Sequence, residues 1–252
     1  MNYVEQSTWT LLRNLMVSED PDRRGWCIDA GAGSFDFYFE WFHAFGYPTL
    51  TVEPFPNTAV IGSCQARHIP LEQAALCNRT GVVTLYRSAV LQLNTLTPQQ
   101  WGLLNSPKED VMAVSLPHLM NKYSMKAITV LKLDIEGAEW QVIQQLPRLS
   151  VLPRVISFEF GGGEEKRFGA FGWSGKALIN TLRSINMLAR HGYRMLLFAA
   201  TGSQPIAHEV FPSEGADIFG EDYNWGNIVA TLSRHSAGEL LDMAQGELRF
   251  TP

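Results

Sequence analysis

Residues 130–146, VLKLDIEGAEWQVIQQL, decide the predicted fold, because an apolar run changes here into a helical pattern. The first part predicts a buried strand that ends at Asp134, and the second predicts a helix that opens near Glu136. Residues 25–33, GWCIDAGAG, likewise predict a strand, which ends in a glycine turn before a further helix. Strands that run into helices in this way are typical of α/β domains.

Outward from these two stretches, strands and helices alternate over most of the chain. Residues 94–110 are polar and predict an inserted loop with a helical turn. The last two strands are joined by a loop without a clear helix, which permits an antiparallel hairpin at the sheet edge. The other predicted strands are 48–56, 67–77, 81–87, 154–160, 191–200 and 225–232, and the other predicted helices are 5–17, 35–45, 176–191 and a short one around Leu240.

This alternation predicts one α/β domain with a mostly parallel sheet and helices on both faces. The domain would span residues 1–252, with an N-terminal helical segment (1–24), a core (25–232) and a C-terminal extension (233–252). Ser7 or Thr8 is the expected cap of the first helix. Helix 35–45 is apolar on two sides, which favours burial on both; a dimer contact or a ligand-pocket wall is the alternative.

Composition narrows the class of protein. The 252 residues are 46% hydrophobic and carry a net charge of −5, with Lys and Arg scattered, which disfavours a nucleic-acid partner. No apolar run reaches the length of a membrane span, and the first residues, MNYVEQSTWTLLRNLM, lack a signal-peptide core. Three cysteines without a C-x-x-C pair predict reduced thiols, so we expect a cytoplasmic protein without membrane attachment.

Two strand ends predict a site for a nucleoside-bearing cofactor. Gly31 and Gly33 would let the backbone approach a ligand, and Asp29 suits a cationic or amine-bearing one. Glu53 ends the next strand and can accept two ribose O–H groups. The dinucleotide fingerprint G-x-G-x-x-G is not met, because Asp36 replaces its third glycine. A structural turn with an ordinary acid at a strand end is the alternative interpretation.

Asp134 carries the strongest signal for a reactive site. A carboxylate that ends an apolar strand lies where open α/β sheets bind their ligands. Glu136 and Glu139 follow in the first helical turn, where a favourable position near the positive helix end is an equally good explanation. Asp134, Glu136 and Glu159 could bind a divalent cation, although no spacing demands one and we expect a metal-free site.

Four segments together resemble the FkbM-type methyltransferases, a branch of the class I S-adenosylmethionine-dependent enzymes. The resemblance covers about residues 25 to 232, and D-x-E-G-x-E at 134–139 is its most specific part. It implies a Rossmann-like sheet of seven strands with an antiparallel last strand. The segments are DAGAGS (29–34), TVEPFP (51–56), EQAALCNRTGVVTLYRS (72–88) and KLDIEGAEWQVI (132–143).

The resemblance also implies roles for individual residues. Asp134 would face the reactive end of S-adenosylmethionine, while Glu53 would bind its ribose. Phe35 stands where the family commonly has a further glycine, so the approach of the backbone to the cofactor would differ locally. The methionine end would be lined by Asp29, Gly31, Ala32, Gly33 and Ser34, the adenosine by Pro54 and Phe55, and the adenine by Gln73 and Ala74.

The resemblance favours O-methylation of a sugar or another small hydroxylated metabolite. Asp134 is the first candidate for the catalytic base and Glu159 the second. Glu136, His208 and two aromatics of loop 161–175, Phe171 and Trp173, are candidates for substrate contact. The alternatives are a nicotinamide-dependent oxidoreductase and a catalytically degenerate methyltransferase fold that acts as a binding module. A homodimer through apolar helix faces is compatible with the pattern.

Overall fold

The computed structural model describes residues 2–33, 38–89, 93–98, 104–161, 175–201, 204–218 and 225–246. Within these ranges the helices are α1 (Tyr3–Glu19), α2 (Tyr38–Ala44), α3 (Thr58–Arg67), α4 (Leu116–Lys122), α5 (Glu139–Ile143), α6 (Gly175–Arg190) and α7 (Ala237–Gln245). The strands are β1 (Trp26–Ala30), β2 (Thr49–Val52), β3 (Leu71–Glu72), β4 (Ala75–Leu76), β5 (Gly81–Tyr86), β6 (Lys108–Val114), β7 (Ile128–Leu133), β8 (Val155–Gly161), β9 (Arg194–Thr201), β10 (Gln204–Glu209) and β11 (Trp225–Thr231).

The main sheet has the order β10-β9-β11-β8-β7-β1-β2-β3. Strands β3, β2, β1, β7 and β8 pair in parallel, and β11 runs antiparallel between β8 and β9. The mixed α/β class with a large parallel portion is as predicted. The expected number of seven strands is wrong, because the described sheet has eight.

Strand β10 is the additional strand, and it also changes the predicted position of the antiparallel hairpin at the sheet edge. The last two predicted strands do pair antiparallel, but β11 lies inside the sheet and β10 takes the edge. Its sequence, QPIAHE, is mostly polar and contains Pro205, which has no N–H to donate. Such a segment is compatible with an edge and is easily mistaken for a loop.

A small sheet with the order β4-β6-β5 lies beside the main one. Residues 94–110 were predicted as a loop, yet Lys108 begins the strand β6, which pairs antiparallel with β5. The first residues of β6 are exposed and polar, so their composition resembles that of a loop. The strand is defined by its pairing with β5 and not by its own composition.

Helix α1 covers one face of the main sheet. Leu11, Leu12 and Leu15 are fully buried in a cluster with residues of β1, β7, β8, β9 and β11. The helix begins earlier than predicted: the Asn2 side chain accepts a hydrogen bond from the backbone N–H of Glu5. The expected caps Ser7 and Thr8 are instead buried inside the helix.

Tyr38, Phe39 and Phe42 of one apolar stripe of α2 are buried, whereas on the other stripe Trp41 is half-buried and Ala44 is exposed, so the predicted burial on both sides holds only in part. Phe39 packs with Val60 and Cys64 of α3, whereas Tyr38 and Phe42 pack against α1. The three cysteines of the chain are free and buried, as predicted. Among the helices described above, none is long and apolar enough to cross a membrane.

Candidate active site

A cavity of about 470 Å³ lies at the carboxyl ends of β1, β2 and β7. This volume falls in the range of small-molecule sites. Its floor comes from the segments that follow these three strands, one wall comes from the small sheet, and another comes from α1 and α2. The location is the one that open α/β sheets use for ligands.

Glu53 lines this cavity, directly after β2. Its Oε1 accepts a hydrogen bond from the N–H of Phe55 (2.9 Å), and its Oε2 accepts one from the N–H of Gly33 (3.4 Å). Burial raises the pKa of the Glu53 carboxyl, and the two N–H donors oppose this rise. A carboxylate offers about four acceptor positions, so Glu53 is oriented by the backbone and retains acceptor capacity for a ligand.

Pro54 and Phe55 also line the cavity, as the resemblance implies. The guanidinium of Arg87 lies 3.9 Å from the centre of the Phe55 ring and holds the ring in place. Sequence reasoning missed Arg87, because its role depends on the small sheet that brings β5 beside the loop after β2.

Gly31, Ala32 and Gly33 line the cavity after β1. Gly31 has a φ of +80°, and a Cβ built there would lie 1.7 Å from the carbonyl oxygen of Asp134. The glycine at this position is therefore required by the close approach of two backbone segments of the protein. A Cβ on Gly33, where φ is +54°, would come within 4.0 Å of the Gly31 carbonyl oxygen, an ordinary van der Waals contact.

Asp29 does not line the cavity, which corrects the role expected for it. Its side chain is fully buried, its Oδ2 accepts from the N–H of Phe39 (3.0 Å), and its Oδ1 lies 3.3 Å from Nζ of Lys132. Burial raises the pKa of Asp29, and the charge of Lys132 opposes the rise. Asp29 thus lies behind the cavity, where it meets a protein cation instead of a ligand.

Lys132 is the site residue that sequence reasoning overlooked most clearly. It lines the cavity, and its Nζ lies 3.3 Å from Asp29, 3.4 Å from Asp134 and 3.2 Å from the carbonyl oxygen of Gly31. These carboxylates raise its pKa against the opposing effect of burial. The available signal was a lysine within the apolar run VLKL, because such a residue needs a partner when it is buried.

Gln73 and Ala74 lie outside the lining of the cavity, so the expected adenine contact is displaced. Gln73 is exposed and Ala74 packs in the core, whereas the next two residues, Ala75 and Leu76, line the cavity. The main sheet ends at Glu72, and the chain then joins the small sheet. The displacement follows from this change of sheet, which local sequence does not reveal.

Three carboxylates meet at the end of β7. Asp134, Glu136 and Glu159 each place an oxygen within 4.8 Å of the other two, a grouping that could hold a metal ion but that also occurs without one. The absence of a metal remains a prediction. Burial, the charges of the neighbouring carboxylates and a hydrogen bond with Asp134 raise the pKa of Glu159 well above its usual value. The raised pKa favours the protonated form of Glu159, which can donate a hydrogen bond to Asp134.

Glu136 has an uncommon backbone conformation, with a φ of +54°. Its carbonyl oxygen accepts hydrogen bonds from Oγ1 of Thr95 (2.5 Å) and Oγ1 of Thr97 (3.3 Å). Both threonines are buried. The turn after β7 is thus held by a distant segment, and this places the Glu136 side chain at the cavity.

Of the remaining predicted substrate residues, the structure describes only His208, which is not brought to this site. His208 lies in β10 at the sheet edge, with four strands between it and β1, or about 24 Å at the usual strand spacing. It lies in a strand that was predicted as a loop. Ser34, Phe171 and Trp173 fall outside the described residues, as does Phe35.

Comparison with protein families agrees with this fold and site. A family model described as the methyltransferase FkbM domain matches residues 28–195, about two thirds of the chain. The fold and the site define a methyltransferase. The chain belongs to the FkbM methyltransferase family, and the D-x-E-G-x-E string and the strand ends that line the cavity fall within the matched region. A search of curated proteins finds no matching relative.

Proposed function

We propose that this methyltransferase uses S-adenosylmethionine and methylates a hydroxyl group of a sugar or another small metabolite. Glu53 carries the proposal: it ends β2 within the cavity, and two backbone N–H groups fix its carboxylate. This is the arrangement required to accept the two O–H groups of a ribose.

The rest of the cavity fits the other parts of such a cofactor. The lining includes the apolar side chains of Phe55, Leu76 and Leu96, which suit an adenine ring. It also includes the carboxylates of Asp134 and Glu136, which suit a cation. When bound, S-adenosylmethionine supplies an electrophilic methyl group on a sulfonium.

The carboxylates around β7 favour a hydroxylated acceptor. Carboxylate oxygens accept hydrogen bonds from O–H donors, so Asp134 and Glu136 can position a hydroxyl of the acceptor. Asp134 is the base in this proposal: it accepts the hydroxyl proton as the oxygen is methylated. Glu159, whose raised pKa favours its protonated form, orients Asp134 through their hydrogen bond. A smaller recess lined by Glu159, Trp140 and Thr181 adjoins this position.

The cofactor is tested by thermal unfolding with S-adenosylhomocysteine and, in parallel, with NAD. A ligand at about 100 times its dissociation constant stabilises the native state by roughly 2.7 kcal/mol. We expect a rise in Tm with S-adenosylhomocysteine alone. A rise with NAD alone would favour an oxidoreductase, and no rise with either ligand would favour a binding module without catalysis.

The base is tested with Asp134→Asn in a methyl-transfer assay on a panel of hydroxylated compounds. Asparagine retains the shape of the side chain but cannot take a proton, so we expect turnover to fall by at least 100-fold. Affinity for S-adenosylhomocysteine should change much less. Turnover close to that of the wild-type protein would remove Asp134 from this role.

A further inference from the structure

The N-terminal helix contributes side chains to the cavity, although the family match begins only at residue 28. Asn2 and Glu5 of α1 line the cavity beside Tyr38 of α2. The helix is anchored there by its buried residues, and the side chain of Asn14 donates a hydrogen bond to the carbonyl oxygen of Met243 in α7. Glu5 is therefore held at the cavity by the core.

Glu5 is oriented by two neutral hydrogen-bond donors. Its Oε2 accepts from the hydroxyl of Tyr38 (2.6 Å), and its Oε1 accepts from Nδ2 of Asn227 in β11 (3.0 Å). Within the described part of the chain, no lysine, arginine or histidine forms an ion pair with Glu5. A carboxylate fixed in this way keeps acceptor positions, and Lys132, whose pKa Glu5 helps to raise, acts on it only through space.

The other acidic groups at this end are occupied differently. Lys132 lies between Asp29 and Asp134 and also donates to the carbonyl oxygen of Gly31. Its Nζ lies 5.2 Å from the centre of the Tyr38 ring, on whose hydroxyl Glu5 is bound. Asp29 therefore contacts a protein cation away from the cavity, whereas Glu5, which forms no ion pair among the described residues, lines the cavity.

We infer that Glu5 binds the α-ammonium group of the cofactor's amino-acid tail. The inference rests on the proposed function, which assigns the ribose to Glu53. Glu5 lines the same cavity and offers a carboxylate to the primary ammonium of the tail in a charge-assisted hydrogen bond. Asp29, which the sequence predicts as a partner for an amine, is replaced in that role by a residue from another element.

The test compares two ligands that differ in the tail. S-adenosylhomocysteine carries the amino acid, whereas 5′-methylthioadenosine has the same nucleoside and sulfur without it. Glu5→Gln retains side-chain size and can still hydrogen-bond to Tyr38 and Asn227, but it loses the charge. Calorimetric titration should show about ten- to hundredfold weaker binding of S-adenosylhomocysteine and methylthioadenosine affinity within twofold of wild type.

Two controls separate this effect from others. Glu19→Gln makes the same charge change at the far end of α1 and should leave both affinities unchanged. Glu53→Gln should weaken both ligands, because both carry the ribose. Thermal unfolding of each variant shows whether the fold is retained.

Each contrary result has a distinct meaning. Unchanged S-adenosylhomocysteine affinity in Glu5→Gln, with wild-type binding intact, would overturn the inference and leave the proposed function standing. Equal weakening of both ligands would also overturn it, because Glu5 would then act through the shape of the cavity. Failure of the wild type to bind S-adenosylhomocysteine would overturn both proposals. If Glu5→Gln does not fold, the wild type provides the test: equal affinity for S-adenosylhomocysteine and its analogue without the amino group would refute the ammonium contact.

Discussion

Replacing Lys132 by methionine should destabilise the protein strongly and in a pH-dependent way. Methionine has nearly the size of lysine, so the change removes the charge from a residue that is 8% exposed. Asp29, whose side chain is fully buried, then loses the cation 3.3 Å from its Oδ1. At an effective dielectric constant of about 20, this pair interacts by about 5 kcal/mol. Breaking a buried pair typically costs about 3–5 kcal/mol.

Protonation of Asp29 limits this cost. Neutralising the carboxyl at pH 7 requires about 4 kcal/mol, because pH 7 lies roughly three pH units above its ordinary pKa and each unit corresponds to about 1.4 kcal/mol. At pH 5 the same neutralisation requires only about 1.5 kcal/mol. The pKa of Asp29 is already raised by burial, and losing Lys132 raises it further. The loss in Lys132→Met should therefore be about 4 kcal/mol at pH 7 and should shrink as the pH falls.

Urea unfolding at pH 7 and pH 5, followed by tryptophan fluorescence, measures this change. The double variant Asp29→Asn, Lys132→Met is the matched control, because asparagine can still accept from the N–H of Phe39 while carrying no charge. It should recover most of the lost stability. A loss below about 1 kcal/mol at pH 7, a loss that does not shrink at pH 5, or a double variant no better than Lys132→Met would each refute the reasoning.

Two further predictions concern the turn after β1 and the first turn of α5. Gly31→Ala should cost more than about 3 kcal/mol, because a Cβ would clash with the Asp134 carbonyl oxygen at a φ of +80°. Gly33→Ala should cost about 1 kcal/mol, because its Cβ would make only a van der Waals contact at 4.0 Å with the Gly31 carbonyl oxygen. Similar losses for the two variants in urea unfolding would contradict this. Glu139 is 8% exposed, and burial raises its pKa to about 7. It therefore binds more protons in the native state than in the unfolded state between these two pKa values. Its contribution to stability falls as the pH rises from about 4.5 to 7. Glu139→Gln should remove that decline and stabilise the protein at pH 8 by up to about 3 kcal/mol, and an unchanged pH profile of Tm would show that Glu139 titrates normally.

Much of the site is recoverable from sequence where function depends on a strand end. Glu53 follows the apolar run TLTV, and Asp134 follows VLKL, so each acid is placed by a pattern that is local in the chain. Parallel strands bring their carboxyl ends to one edge, which is why these two residues reach a common cavity. The D-x-E-G-x-E string indicates the family for the same reason, because its residues lie close together in the chain.

Other contacts depend on segments that are distant in the chain. Asp29 also follows an apolar run, but it lies inside β1 opposite Lys132 of β7, and this pairing keeps it buried away from the cavity. Lys132 in turn resembles an isolated charge until β1 and β7 pair. His208 is taken to the sheet edge by the pairing of β10 with β9, far from the loop position that its neighbours suggest.

The α/β class, the strand ends that carry Glu53 and Asp134, and the family could all be predicted from the sequence alone. Each of them depends on periodicity or spacing within a short segment. Which acids line the cavity and which are buried against a protein cation follows only from the tertiary structure. Glu5 reaches the cavity because α1 packs across the sheet, and Asn227, 222 residues later in the chain, holds its carboxylate. The charge of a side chain is local information, but whether that charge meets a cation of the protein or a ligand depends on the packing of the whole domain.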